Sequence, residues 1–163
     1  MNKIIIVGTI FFLFISCITT EYFHRKYKGI DIHLVFKNIG TEKIEIAYVK
    51  FGKRKSYPTD LGKGGTRGEA FIFDYIPETY ELHYKPKGKS EIVRKIKTPD
   101  DLPIESFDRD KCNIDINFYI DGENEKEEII YEIFELKSYK RNGEYDRNPT
   151  VKIKYIQPKE LIE

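Results

Sequence analysis

From residue 30 onward the apolar side chains fall on alternate positions. Ile30, Ile32, Leu34 and Phe36 share one parity, while Asp31, His33 and Lys37 occupy the other. Successive side chains of an extended chain point to opposite faces, so this pattern predicts a strand with one buried face. It recurs at Ile44, Ile46 and Tyr48; at Phe71, Phe73 and Tyr75; at Tyr80, Leu82 and Tyr84; from Cys112 to Ile120; and at Val151, Ile153 and Tyr155. A further short strand is expected over residues 91–97. With 12 Tyr, 11 Phe and no Trp, the composition also favours sheet. The expected fold is all-β, a single β-sandwich of about seven strands. Phe73, Leu82, Ile116 and Ile153, each mid-strand on the apolar parity, are its expected core.

Two segments read in two ways. As a hairpin, residues 71–76 and 79–84 would set Tyr75 against Tyr80, Phe73 against Leu82 and Phe71 against Tyr84 on one face. Pro77 conflicts with that, because its fixed negative φ does not suit the preferred two-residue turns. The other reading is a corner that carries the chain to a second sheet. Asp74 to Leu82 (DYIPETYEL) resembles the proline-then-tyrosine corner of immunoglobulin-like and transthyretin-like sandwiches. That resemblance implies such a sandwich. Over residues 124–138, Asn124 and Glu127 suit a helix cap, and Ile129, Ile130, Ile133 and Phe134 lie at helical spacing. That would give an α+β fold. The same residues suit a strand covered on both faces, and strand is preferred because the rest of the chain reads as strand.

Ahead of this domain, Met1-Asn2-Lys3 makes a short basic start, and Ile4 to Ser16 runs almost wholly apolar up to Cys17. A basic n-region, an apolar h-region and a small residue before the cut mark a secretory signal. Phe14-Ile15-Ser16-Cys17 resembles the lipobox of bacterial lipoprotein precursors. The resemblance implies lipid transfer to the Cys17 sulfur, cleavage before it, and a lipid-anchored envelope protein facing the periplasm. Ile18 stands where an aspartate would resemble an inner-membrane retention signal, which points to the outer membrane. An uncleaved anchor and an ordinary cleaved signal are the alternatives. A membrane span needs ~20 apolar residues, and Thr19, Thr20 and Glu21 stop this run sooner. The expected organisation is a lipoprotein signal peptide over 1–16, a lipidated tether over 17–28 and a β-sandwich domain over 29–163.

The chain has 28 Lys+Arg and 27 Asp+Glu, and with Lys3 in the signal the remainder is formally neutral. That argues against nucleic acid as a partner. With Cys17 lipidated, Cys112 is left alone and the domain must stand without a disulfide. Its parity with Ile114 and Ile116 makes it an inert core thiol. His24, His33 and His83 have no partner at metal-ligand spacing, and no hydrolase motif occurs. No metal, cofactor, small-molecule substrate or catalytic group is therefore expected, and the chain is not expected to be an enzyme.

Two polar stretches remain. Residues 52–68 carry Gly52, Pro58, Gly62, Gly64, Gly65 and Gly68 and read as a long loop. Gly62 to Gly68 lacks the lysine and hydroxyl residue that follow the last glycine of a phosphate loop. Residues 98–111 hold Asp100, Asp101, Glu105, Asp108 and Asp110, without the spacing of a calcium loop. Long loops in compact domains are commonly functional. Tyr57, Lys63 and Arg67 on the first, and Asp100 and Asp101 on the second, are the expected contacts to another protein, since Tyr and Arg are enriched at binding hot spots. Small envelope lipoproteins with a β domain and no catalytic signature resemble, in build, the immunity lipoproteins that neutralise secreted effectors. That likeness implies such a partner. A structural or assembly lipoprotein of the envelope is the alternative.

Overall fold

The computed structural model describes residues 30–71, 75–107, 112–135 and 152–163. Ten strands form among the described residues: β1 (Asp31–Asn38), β2 (Ile44–Phe51), β3 (Arg54–Lys55), β4 (Thr59–Leu61), β5 (Thr66–Phe71), β6 (Thr79–Pro86), β7 (Ile92–Lys97), β8 (Cys112–Asp121), β9 (Lys126–Glu135) and β10 (Lys152–Ile156). They make two packed sheets. The first runs β10-β9-β8-β1-β5, and the second runs β3-β2-β6-β7 with β4 also on β2. The fold is an all-β sandwich, as the alternation predicts.

β1 and β8 form the middle of the first sheet and pair in parallel, Leu34 opposite Ile116 and Phe36 opposite Phe118. The two phenyl rings stack at 5.2 Å. The helical alternative over 124–138 is not taken: Lys126–Glu135 within it is β9, which pairs antiparallel with β8 along its whole length, and residues 136–138 lie outside the described residues. Ile129, Ile130 and Tyr131 are buried in succession, so this strand is covered on both faces. That explains why its apolar run hides the period of two.

Three local expectations change. In β2 the register slips between Ile44, opposite Pro86, and Ile46, opposite Lys85. A bulge adds one residue to one strand and flips the parity beyond it. Ala47, Val49 and Phe51 therefore face the core, while Ile46 turns outward. Second, of the two readings of residues 71–84 the corner holds and the hairpin does not. β5 pairs with β1 and β6 with β2 and β7, so the proline marks a corner between sheets. Thr98 secures that corner, donating its hydroxyl to the Pro77 carbonyl at 2.6 Å and its N–H to that of Glu78 at 2.8 Å. Third, much of 98–111 is not a solvated loop. Leu102, Ile104 and Phe107 are buried around a 3-10 turn (Ile104–Ser106) that closes one end of the core. Of the expected core residues, Leu82 and Ile116 are fully buried, Ile153 on an edge strand packs partly exposed against the core, and Phe73 lies outside the described residues.

Polar contacts cross between the sheets. Tyr80 of β6 and Tyr131 of β9 share a buried hydroxyl–hydroxyl hydrogen bond of 2.7 Å. Arg94 of β7 meets Glu127 of β9 at 3.0 Å, and the Tyr84 hydroxyl donates to the same carboxylate. At the edge of β7, Ile162 bridges Ile96, and Lys95 and Glu163 exchange two backbone hydrogen bonds of 2.8 Å.

Burial raises the Tyr131 hydroxyl well above its ordinary pKa, so Tyr131 keeps its proton in this bond. Tyr131→Phe should remove this buried hydrogen bond at a cost of about 1–3 kcal/mol. Chemical denaturation of the Tyr80→Phe/Tyr131→Phe double variant should show part of that loss recovered. Strictly additive losses would mean that the two hydroxyls do not depend on one another.

Candidate functional site

Most of the stretch expected to be a long loop is instead the rim of the second sheet. β3 and β4 both pair with β2, with Lys50 opposite Lys55 and Ala47 opposite Thr59. Between them Ser56 still holds β2, its N–H on the Val49 carbonyl at 2.9 Å and its hydroxyl accepting the Val49 N–H at 3.0 Å. Only Tyr57 and Pro58 swing out. The proline suits an edge, where no N–H is needed, and it blunts the edge against further pairing. Tyr57 is left 80% exposed. Few apolar side chains sit in these short polar strands, so their sequence reads as loop.

The glycine-rich turn that follows is tied down from inside. The Asn38 amide donates to the carbonyls of Glu42 at 2.6 Å and Gly62 at 3.0 Å, and the Gly65 N–H bonds the Gly62 carbonyl at 2.9 Å. Gly64 has φ +65°, and a Cβ on Gly65 would meet the Gly62 oxygen at 2.9 Å. Lys63 is exposed on this turn and Arg67 is exposed on β5. Lys43, at 2.9 Å, holds the Asp60 carboxyl below the usual carboxylate range, with a smaller contribution from Arg67.

Asp100 and Asp101 lie elsewhere. They follow β7, and Asp101 accepts the Tyr155 hydroxyl of β10 at 2.6 Å. Burial, then this bond, push that hydroxyl up to about 12. Strands β5 and β10 are the two ends of the first sheet, and β3 and β7 are two ends of the second. The five expected contact residues thus divide between opposite edges. Tyr57, Lys63 and Arg67 share one edge, and Asp100 and Asp101 sit on the other. Cys17 and His24 lie outside the described residues.

Two further features went unread. On the outer face of the second sheet, His83 stacks on Tyr48 with ring centroids 4.5 Å apart. Its Nε2 lies 3.0 Å from Glu81, and its Nδ1 lies 3.0 Å from the Tyr48 hydroxyl and 3.3 Å from Glu91. Lys55 sits 4.0 Å above the Tyr48 ring. Alternation places Glu81 and His83 on the polar face but Tyr48 on the apolar one; the bulge in β2 turns Tyr48 outward, and the register of β2 against β6 brings it to His83. The second feature is a groove of about 360 Å³ near the C-terminal 3-10 turn (Lys159–Leu161), lined by Ile39, Lys126, Ile156, Gln157 and Ile162 among others. Gln157 donates to the Lys97 carbonyl at 2.8 Å, and its buried Oε1 has no hydrogen-bond partner among the described residues.

Among the described residues no group of three or more His, Cys, Asp or Glu side chains is placed to hold a metal ion. Cys112 is buried, and burial, with the Glu135 charge adding, pushes its thiol up to about 11. It should resist iodoacetamide at pH 8 in the folded protein and react promptly in denaturant, because only the thiolate attacks. Equal rates in both states would place the thiol at the surface.

His33 on the outer face of the first sheet lies 3.1 Å from Asp115. That hydrogen bond raises its pKa above 6.5, the charges of Asp115 and Asp31 add to the shift, and burial opposes it. A raised folded pKa means that the pair's contribution is complete below the unfolded value and fades as pH rises through the folded one. The side chain is 41% exposed, so the contribution is small. An NMR titration should find His33 titrating above its ordinary value, and Asp115→Asn should lower it. An unchanged midpoint in the variant would remove Asp115 as the cause.

No family model, no curated protein and no solved structure matches this chain.

Proposed function

We propose that this chain is a lipid-anchored protein of the bacterial envelope, facing the periplasm from the outer membrane, and that its β-sandwich binds another protein. The anchoring part rests on the apolar run from Ile4 to Ser16 that ends at Cys17. One observation carries the binding part. Tyr57 is held 80% exposed on a blunted sheet edge, with Arg67 exposed on the same side of the sandwich. A large amphipathic ring beside charged groups is the composition of a contact surface. A small tethered domain of this kind suits neutralisation of a secreted effector. The second reading, an assembly role, is favoured by a different observation. Among the described residues β5 and β10 end the first sheet without a further strand, and such edges accept strands from a partner.

Cells fed a palmitate analogue should label the wild-type chain and not Cys17→Ala, and the variant should leave the membrane fraction. Equal labelling would end the anchoring proposal. A partner captured from the envelope should bind Tyr57→Ala/Arg67→Ala at least about fivefold more weakly, the ~1 kcal/mol that marks an important contact. Asp100→Asn/Asp101→Asn tests the opposite edge separately. If both double variants keep full affinity and the fold, neither edge is the site.

A further inference from the structure

We propose that the outer face of the second sheet is a docking surface for an acidic segment of a partner protein. The proposal rests on the protein-binding reading and names the chemistry of the partner. Cross-strand register aligns Lys55, Lys50, Glu81 and Lys95 in one row across β3, β2, β6 and β7. Their neighbours Val49, Phe51, Leu82 and Ile96 are buried, so the row points away from the core. Lys97, opposite Thr79, extends the basic surface along β7. Lys53 extends it at the β2–β3 turn, where Gly52 has φ +59°, whereas Arg54, opposite the buried Phe51, belongs to the other face.

The acids on this face are already engaged. Glu81 lies 3.1 Å from Lys50 and 3.0 Å from His83, and Glu91 accepts the Tyr48 hydroxyl at 3.0 Å. Among the described residues no carboxylate lies within ion-pairing distance of Lys53, Lys55, Lys95 or Lys97. The chain as a whole carries a formal charge of only +1, so this is a local concentration of charge. A hollow of about 150 Å³, lined by Lys50, Gly52, Thr79, Glu81 and Lys95 among others, opens at the same corner and would admit a carboxylate side chain.

Between the charges lie groups that suit a protein. The Tyr48–His83 stack and Val93, 46% exposed, form the adjacent row, and Ile46, 39% exposed, lies beyond. A membrane or nucleic-acid surface offers only anions, which Glu81 and Glu91 oppose. A protein segment offers carboxylates for the lysines and apolar groups for Val93 and Ile46. The two broad faces of the sandwich also differ. On the first sheet the outward residues Asn113, Asn117 and Ile130 are 3%, 9% and 3% exposed, so that part of its face is closed to solvent, while His33 on β1 is 41% exposed. The second sheet presents its outer face to solvent.

The test titrates the isotope-labelled full chain, in neutral detergent, with a synthetic peptide of alternating glutamate and leucine. Its lysine–leucine counterpart, phosphatidylglycerol vesicles and a single-stranded DNA oligomer are the other probes. The acidic peptide should shift amides of β2, β3, β6 and β7 and leave β9 unmoved. Its affinity should fall with salt, and at least about fivefold in Lys55→Glu/Lys95→Glu. Lys53→Gln/Lys97→Gln, both exposed on this face, should weaken binding in the same direction and guards against misfolding of the first variant. Equal binding of the basic peptide, tighter binding of vesicles or DNA, or no shifts on this face would overturn the proposal. If the face is silent while a captured partner still depends on Tyr57 and Arg67 or on Asp100 and Asp101, this inference fails and the binding reading stands. If the partner depends on none of these residues, both fail.

Discussion

The parallel pairing of β1 with β8 is the constraint on which the rest of the fold depends. Parallel neighbours cannot be joined by a tight turn, so the chain leaves β1 after Asn38 and reaches its parallel neighbour only at Cys112. The whole second sheet is built during that excursion, and β5 comes back midway to flank β1 on its other side. The stacked rings of Phe36 and Phe118 meet only when both passages are complete. Contacts so distant in sequence are costly to close, and a topology made of them is expected to fold slowly.

Apolar packing alone would let two twisted sheets slide. The hydroxyl pair of Tyr80 and Tyr131 and the Arg94–Glu127–Tyr84 cluster oppose that, because a shift of one residue would break these hydrogen bonds inside the sandwich. Glu127 is 8% exposed, so most of the clamp is hidden from water, and its role is alignment more than net stabilisation.

Where burial is one-sided and the strand regular, the fold was legible in the amino acids. Leu34, Leu82 and Ile116 lie in the core that their parity assigns to them. It was illegible where geometry intervenes. The bulge in β2 reverses the outlook of Ile46, and nothing in Ile44-Glu45-Ile46 announces it. β3 and β4 are too short and too polar to carry a period. The acidic stretch hides Leu102, Ile104 and Phe107 because a single buried turn has no repeat to detect. The candidate surfaces fared worse for the same reason. Tyr48, His83 and Glu91 become neighbours through register, and register between strands far apart in sequence is not written in either one. The two edges holding Tyr57 and Asp101 could be separated only once the order of strands was known.

The end of the chain runs along β7, with Ile162 opposite Ile96 and Glu163 bonded to Lys95. Any residues fused after Glu163 would therefore begin beside Arg94 and Val93, already aligned to extend the second sheet by one strand. A flexible reporter placed there would be templated into an ordered one, at the margin of the basic face and over the Arg94–Glu127 clamp. A reporter meant to leave this molecule unaltered belongs in the exposed turn around Lys63, where Gly64 faces open space.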